Sequence, residues 1–181
     1  MSPRFAIDVD GTLADIHTPF LNELNKRYGT HFKLEDITEW GWGKIREEIP
    51  NIVEVFRRLS DEIWEKFLWR IKPIEKDVNE TIRELRKKGK VYIVTSRNTI
   101  EAVKTWLFYY EIEYDGFFYT KPSSLKKLIH VDYLIDDNPE LARELKDFTL
   151  FLYDRPWNRK IKENEQVIRI NSLKEVYRYL K

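Results

Sequence analysis

Apolar residues recur along this chain in two rhythms. Phe5–Ile7, Val91–Val94, Gly116–Tyr119, Tyr133–Ile135, Thr149–Tyr153 and Val167–Ile170 are short runs rich in β-branched and aromatic residues. Runs of that size suit strands buried on both faces, as in a parallel sheet. Between them the apolar positions spread out to helical spacing. Val78, Ile82 and Leu85 make one face, with Gly89 as a stop, and Val103, Leu107 and Tyr110 make another. Leu125, Leu128 and Ile129 predict a short helix, and Leu173, Val176, Tyr177 and Leu180 a closing one. Asp77 with Glu80 has the spacing of a capping box, and Asn138 before Pro139 that of a capped start. Strands alternating with helices predict an α/β fold, a Rossmann-like parallel sheet with helices on both faces.

Residues 15–72 depart from that rhythm. Phe20, Leu21, Leu24 and Tyr28 predict a helix stopped by Gly29, and Leu34–Glu39 a turn. In Trp40-Gly-Trp-Gly43 two tryptophans alternate with glycines. Val53, Phe56 and Leu59, then Ile63 and Phe67, predict two more helices, with Trp64 and Trp69 as packing residues beside them. No strand-like alternation stands out. The expectation is a core domain of residues 1–14 and 73–181, with a helical cap of residues 15–72 inserted after the first strand.

Composition narrows the setting. Lys and Arg total 32 against 31 Asp and Glu, a balance that argues against a nucleic-acid-binding surface. There is no cysteine, hence no disulfide and no thiolate metal site. No apolar stretch has the length of a membrane span or a secretion signal, so a cytoplasmic protein with no membrane partner is expected.

The candidate chemistry lies where strands end, the place where open parallel sheets bind ligands. Asp8 and Asp10 follow the first strand and project to one side, since alternate strand residues share a face. Two such charges call for a cation, and a hard ion such as Mg2+ prefers carboxylate oxygens. Gly11 permits a sharp turn and close approach to a ligand, Thr12 adds a hydroxyl, and both are candidates to bind the phosphate. Later strand ends carry Thr95 and Ser96, Lys121 or Lys126, and Asp136 with Asp137. In this set Asp8 can attack phosphorus to give an aspartyl-phosphate, and Asp10 can exchange a proton with the leaving oxygen and with water. Thr95, Ser96 and a lysine can bind phosphate oxygens, and Arg97 is a further candidate contact. Trp40 and Trp42 are open to two readings, a platform for a nucleobase or cap packing.

These motifs resemble the haloacid dehalogenase (HAD) superfamily of phosphohydrolases. Asp8-Val-Asp-Gly-Thr12 looks like its first motif, Val94-Thr95-Ser96 its second and Leu134-Ile-Asp-Asp137 its fourth; Lys121 and Lys126 both compete for its lysine. The resemblance implies that Asp8, Asp10 through its carbonyl, and Asp136 bind Mg2+, with Asp137 in support. Asp10–Asp15, Tyr153–Asn158 and the early insertion resemble the deoxyribonucleotidase-like type C 5′-nucleotidase branch. That branch implies a small-molecule partner, a nucleoside 5′-monophosphate. Ile16 stands where an aromatic residue that stacks on the base is expected. The alternatives are a phosphatase for another small phosphometabolite or for polynucleotide ends, and a non-catalytic phosphate-binding protein. A receiver domain also combines acids, Thr and Lys, but its acidic pair follows the first strand.

Overall fold

A computed structural model describes residues 2–143, 145 and 147–180. Strand β1 (Arg4–Asp8) opens the fold. The chain passes through a two-residue strand β2 (Ala14–Asp15), then α1 (His17–Tyr28), α2 (Gly43–Glu48) and α3 (Ile52–Lys66), and returns through β3 (Lys72–Pro73). There follow α4 (Val78–Lys88), β4 (Lys90–Thr95), α5 (Ile100–Tyr109), β5 (Gly116–Tyr119), β6 (Tyr133–Asp136), β7 (Thr149–Tyr153) and β8 (Val167–Ile170). Each of the last four strands leads into a short 3-10 helix.

Six strands form one parallel sheet in the order β5-β4-β1-β6-β7-β8. The chain works outward from β1 to β5, then returns to β6 on the other side of β1. The strand order therefore reverses beside β1, and the crevice beyond the ends of β1 and β6 is the natural ligand site. Alternation sorts the side chains. Phe5, Ile7, Val91, Ile93 and Ile135 join one buried cluster with residues of α4, α5 and the insertion. Ala6, Val94, Leu134, Leu150 and Leu152 join another, covered by Val131, Leu141 and Phe148.

The insertion differs from the pattern-based reading in three respects. A single helix, α3, replaces the expected pair, because Ile52, Val55, Leu59 and Ile63 make one unbroken buried stripe with no breaker inside it. Strands β2 and β3 pair antiparallel, Ala14 with Pro73 and Asp15 with Lys72, clasping the two ends of the insertion. Trp69 is 58% exposed, edge-on to the Phe67 ring, and is not a core packing residue. Elsewhere, Asp77 does not close a capping box, because its carboxylate pairs with Lys174. The expected helix at Leu125–Ile129 is a 3-10 turn that exposes Leu125 and Leu128 and buries Lys126. Among the described residues no helix is long and apolar enough to cross a membrane.

Candidate active site

The end of β1 delivers Asp8 into a dry environment, 5% exposed. Beyond it the chain doubles back: the N–H groups of Leu13 and Ala14 both donate to the Val9 carbonyl, at 2.9 and 2.8 Å. Gly11 has φ +82°, and a Cβ there would lie 2.1 Å from Asp137 Oδ2. Only glycine fits, by conformation and by space. Its carbonyl accepts from Arg155 Nε at 2.7 Å. Gly11 and Thr12, expected at the phosphate, are not among the residues lining the main cavity. The Gly11 N–H bonds the Ala14 carbonyl at 2.9 Å, and the Thr12 hydroxyl is buried.

Strand β6 ends beside β1 and brings Asp136 and Asp137 to Asp8. One oxygen from each of the three lies within 4.8 Å of the others. Lys126 Nζ bridges two of them, 2.6 Å from Asp8 Oδ1 and 2.7 Å from Asp136 Oδ2. Asp136 Oδ1 also accepts from the Asn138 N–H at 2.9 Å, and Asn138 in turn caps its 3-10 helix through the Glu140 N–H. Asp137 is held from the loop after β7: Trp157 Nε1 donates to its Oδ2 at 3.1 Å, and Asn158 Nδ2 to its carbonyl at 2.9 Å. Lys121 lies at the rim, exposed, donating to Asn98 Oδ1 at 3.1 Å.

Electrostatics here are unbalanced. Three buried carboxylates face one ammonium. Burial, followed by repulsion from Asp136, pushes the Asp8 carboxyl up to about 8. Asp137 is raised by the same two causes. Burial works against the Lys126 charge, but Asp136 and Asp8 outweigh it and hold the ammonium above its ordinary value. A dry cluster of hard oxygen donors with excess negative charge fits a divalent cation such as Mg2+.

Asp10 belongs to a second network. Its Oδ1 accepts from Trp64 Nε1 at 3.0 Å and its Oδ2 from Arg97 Nε at 2.5 Å. Arg97 Nη1 also reaches Asp61 Oδ1 at 2.7 Å and Ser60 Oγ at 3.1 Å. Arg97, read from sequence as a phosphate contact, is thus engaged with carboxylates. Trp64 is fully buried as expected, but it also donates a polar contact that sequence reasoning did not assign. Nothing in the spacing of Ser60 and Asp61 marks them. Tyr153–Asn158 carried a family signal, and its Trp157 and Asn158 act by supporting Asp137.

The two networks meet at a cavity of about 500 Å³, whose lining includes Asp8, Asp10, Thr95, Ser96, Trp40 and Trp42. Thr95 Oγ1 accepts from the Arg97 N–H at 3.1 Å, which leaves its own proton free to donate. Ser96 Oγ lies 3.4 Å from Thr120 Oγ1. Trp42 is buried against His17, Phe20 and Phe56, whereas Trp40 is 42% exposed. His17 is held by rings, stacked on Phe56 and tilted against Trp157. Burial, with the charges of Arg155 and Arg97 behind it, pushes its imidazole down to about 3. Ile16 is fully buried and does not line the cavity.

The sequence profile of the family described as 5′ nucleotidase, deoxy (pyrimidine), cytosolic type C protein matches residues 3–180. No match is found among curated proteins. Among solved structures, the haloacid dehalogenase-like hydrolase SP0104 from Streptococcus pneumoniae aligns with a TM-score of 0.65 at 17% identity, covering 99% of each chain. A predicted phosphatase from Clostridium acetobutylicum aligns with a TM-score of 0.69 at 13% identity, covering 99% of this chain and 98% of its own. YfnB from Bacillus subtilis, described as a HAD-hydrolase bound to magnesium, aligns at 0.53 and 17%, covering 99% and 98%. At these identities the likeness establishes the fold.

Proposed function

This chain belongs to the cytosolic type C 5′ nucleotidase family, phosphatases of the HAD-like class, and from that membership we propose that it is a Mg2+-dependent phosphomonoesterase acting on nucleoside 5′-monophosphates, deoxyribonucleotides included. One observation carries the reading: the buried Asp8, Asp136 and Asp137 cluster lines a cavity of about 500 Å³ together with the aromatic Trp40, Trp42 and Phe56. The acidic cluster suits a metal-held phosphate. Trp40, Trp42 and Phe56 suit a base, stacking being worth ~1–3 kcal/mol. We read residues 15–72 as the cap that supplies these aromatic residues.

In this reading an Asp8 carboxylate oxygen attacks phosphorus while the bond to the leaving oxygen breaks and Asp10 gives that oxygen its proton. Water then attacks the aspartyl-phosphate, Asp10 takes a proton back, the bond to Asp8 breaks and orthophosphate leaves. Asp8, Asp136 and the Asp10 carbonyl, with Asp137 in support, would hold Mg2+, as the magnesium-bound YfnB structure encourages. When bound, the ion supplies positive charge to the phosphate oxygens. Lys126 adds a fixed positive charge beside Asp8, and the Thr95 and Ser96 hydroxyls donate to the phosphate. Lys121, at the mouth, is left for the outer part of the substrate.

The test is phosphate release from a panel of nucleotides and sugar phosphates, with and without Mg2+. Turnover is expected to be greatest on nucleoside 5′-monophosphates, to need the metal, and to vanish in Asp8→Asn with the fold intact. Metal-independent turnover, or an active Asp8→Asn variant, would overturn the assignment.

A further inference from the structure

Among the described residues, both hydrogen bonds to the Asp10 side chain lead to the insertion. Trp64, which donates to Oδ1, is on α3. Arg97, which donates to Oδ2, follows β4 in the sheet, yet its other bonds run to Ser60 and Asp61, also on α3. The Arg97 side chain is 8% exposed and Asp61 29% exposed. A guanidinium is a planar fork whose nitrogens hold fixed relative directions. Fixing Nη1 on Asp61 therefore fixes the direction in which Nε meets Asp10. A carboxylate oxygen has two lone-pair sites. With one donor on each oxygen of Asp10, sites remain on both for a proton, and the donors decide where those sites point.

We propose that Asp61, acting through Arg97, is the positioning residue for Asp10, so that the proton-transfer group is correctly aimed only while α3 of the insertion is seated over the sheet. This deepens the function proposed above and rests on its reading of Asp10. Asp61 also lines the cavity, but it lies outside the Asp8, Asp136 and Asp137 cluster and its Oδ1 is taken by Arg97. Removing its charge leaves Arg97 bound to Asp10 but held on α3 only by neutral acceptors, Ser60 Oγ and the new amide, so its aim loosens and the loss falls on proton transfer rather than on substrate binding.

The experiment compares wild type, Asp61→Asn and Asp61→Glu in a single turnover with Mg2+, using a nucleoside 5′-monophosphate and p-nitrophenyl phosphate. The nucleoside leaving oxygen needs a proton; p-nitrophenolate leaves without one. In Asp61→Asn, first-turnover release of nucleoside is expected to slow about tenfold, a fraction of the ~10²–10⁴ that proton transfer contributes. Release of p-nitrophenolate is expected to change less than about twofold, with KM for the nucleotide held. Asp61→Glu, which keeps the carboxylate, is expected to restore most of the nucleoside rate. The NMR signal of the Trp64 indole N–H is a check that does not depend on turnover: it is expected to shift in Asp61→Asn while the other indole signals stay in place. Equal slowing of both substrates, a rise in KM with the rate unchanged, or no change in either rate would each overturn the proposal. An inactive wild type would instead sink the functional reading itself, and the indole signal would still decide whether Asp61 controls the setting of Asp10.

Discussion

Two carboxylate clusters share one cavity wall, and they are balanced differently. Asp8, Asp136 and Asp137 sit at the ends of β1 and β6, buried, with Lys126 as their cation. Asp10 and Asp61 share Arg97, one charge to two, and both carboxylates remain 22–29% exposed, with water available to share the excess. The first cluster is made by two strand ends and the 3-10 turn that carries Lys126, and is short of positive charge. The second is made between sheet and insertion, with each oxygen of Asp10 already bonded. The contrast teaches that the excess charge of the first is a requirement for a ligand, whereas the bonding of the second is a way to set direction.

Lys126→Met should separate the two most strongly. It removes a charge beside Asp8 and leaves two buried carboxylates facing each other. Activity is expected to fall ~10²–10³-fold. The metal-free protein is expected to lose ~3–5 kcal/mol of stability, the range for breaking a buried ion pair. Denaturant unfolding with and without Mg2+ checks the second part, and the ion should return some of the loss.

The clusters should also differ toward the ion itself. Saturating Mg2+ is expected to stabilise the wild type by RT ln(1 + [Mg2+]/Kd), ~2.7 kcal/mol at a hundredfold excess over Kd. Thermal unfolding should show this gain lost in Asp136→Asn and kept in Asp61→Asn. Loss in both would mean that the networks are not separate.

A smaller effect concerns His17, which lies under both networks. Its imidazole titrates near 6.5 when unfolded and at about 3 when folded. Between those values the unfolded chain holds more protons, so stability falls as pH falls, by up to ~1.4 kcal/mol per pH unit. From pH 6.5 to 5 the wild type is expected to lose ~2 kcal/mol relative to His17→Phe, as read by denaturant unfolding at each pH. Parallel pH profiles for the two proteins would contradict the burial of a neutral ring.

The sheet was largely legible because its strands are short apolar runs cut off by Gly, Asp or Lys, a pattern that few other structures produce. Asp8, Asp136 and Asp137 were legible for the same reason, since a strand's end fixes its last side chains in space. The choice between Lys121 and Lys126 was not, because it turns on a 3-10 helix that buries a lysine and exposes two leucines, against the apolar pattern. The insertion was read only in outline. Its helix α3 carries one stripe that looks like two, and β2 and β3 are too short to show a period. Asp61 left no trace at all. Its meaning comes from meeting Arg97 across a sequence separation of 36 residues, and only the packing of α3 on the sheet creates that contact.

The most direct measurement is mass spectrometry of the chain quenched in acid during turnover of a nucleoside 5′-monophosphate with Mg2+. The account expects one phosphate on the peptide that contains Asp8, absent when the metal is stripped. Steady turnover with no phosphorylated peptide, or with the phosphate on another residue, would contradict it.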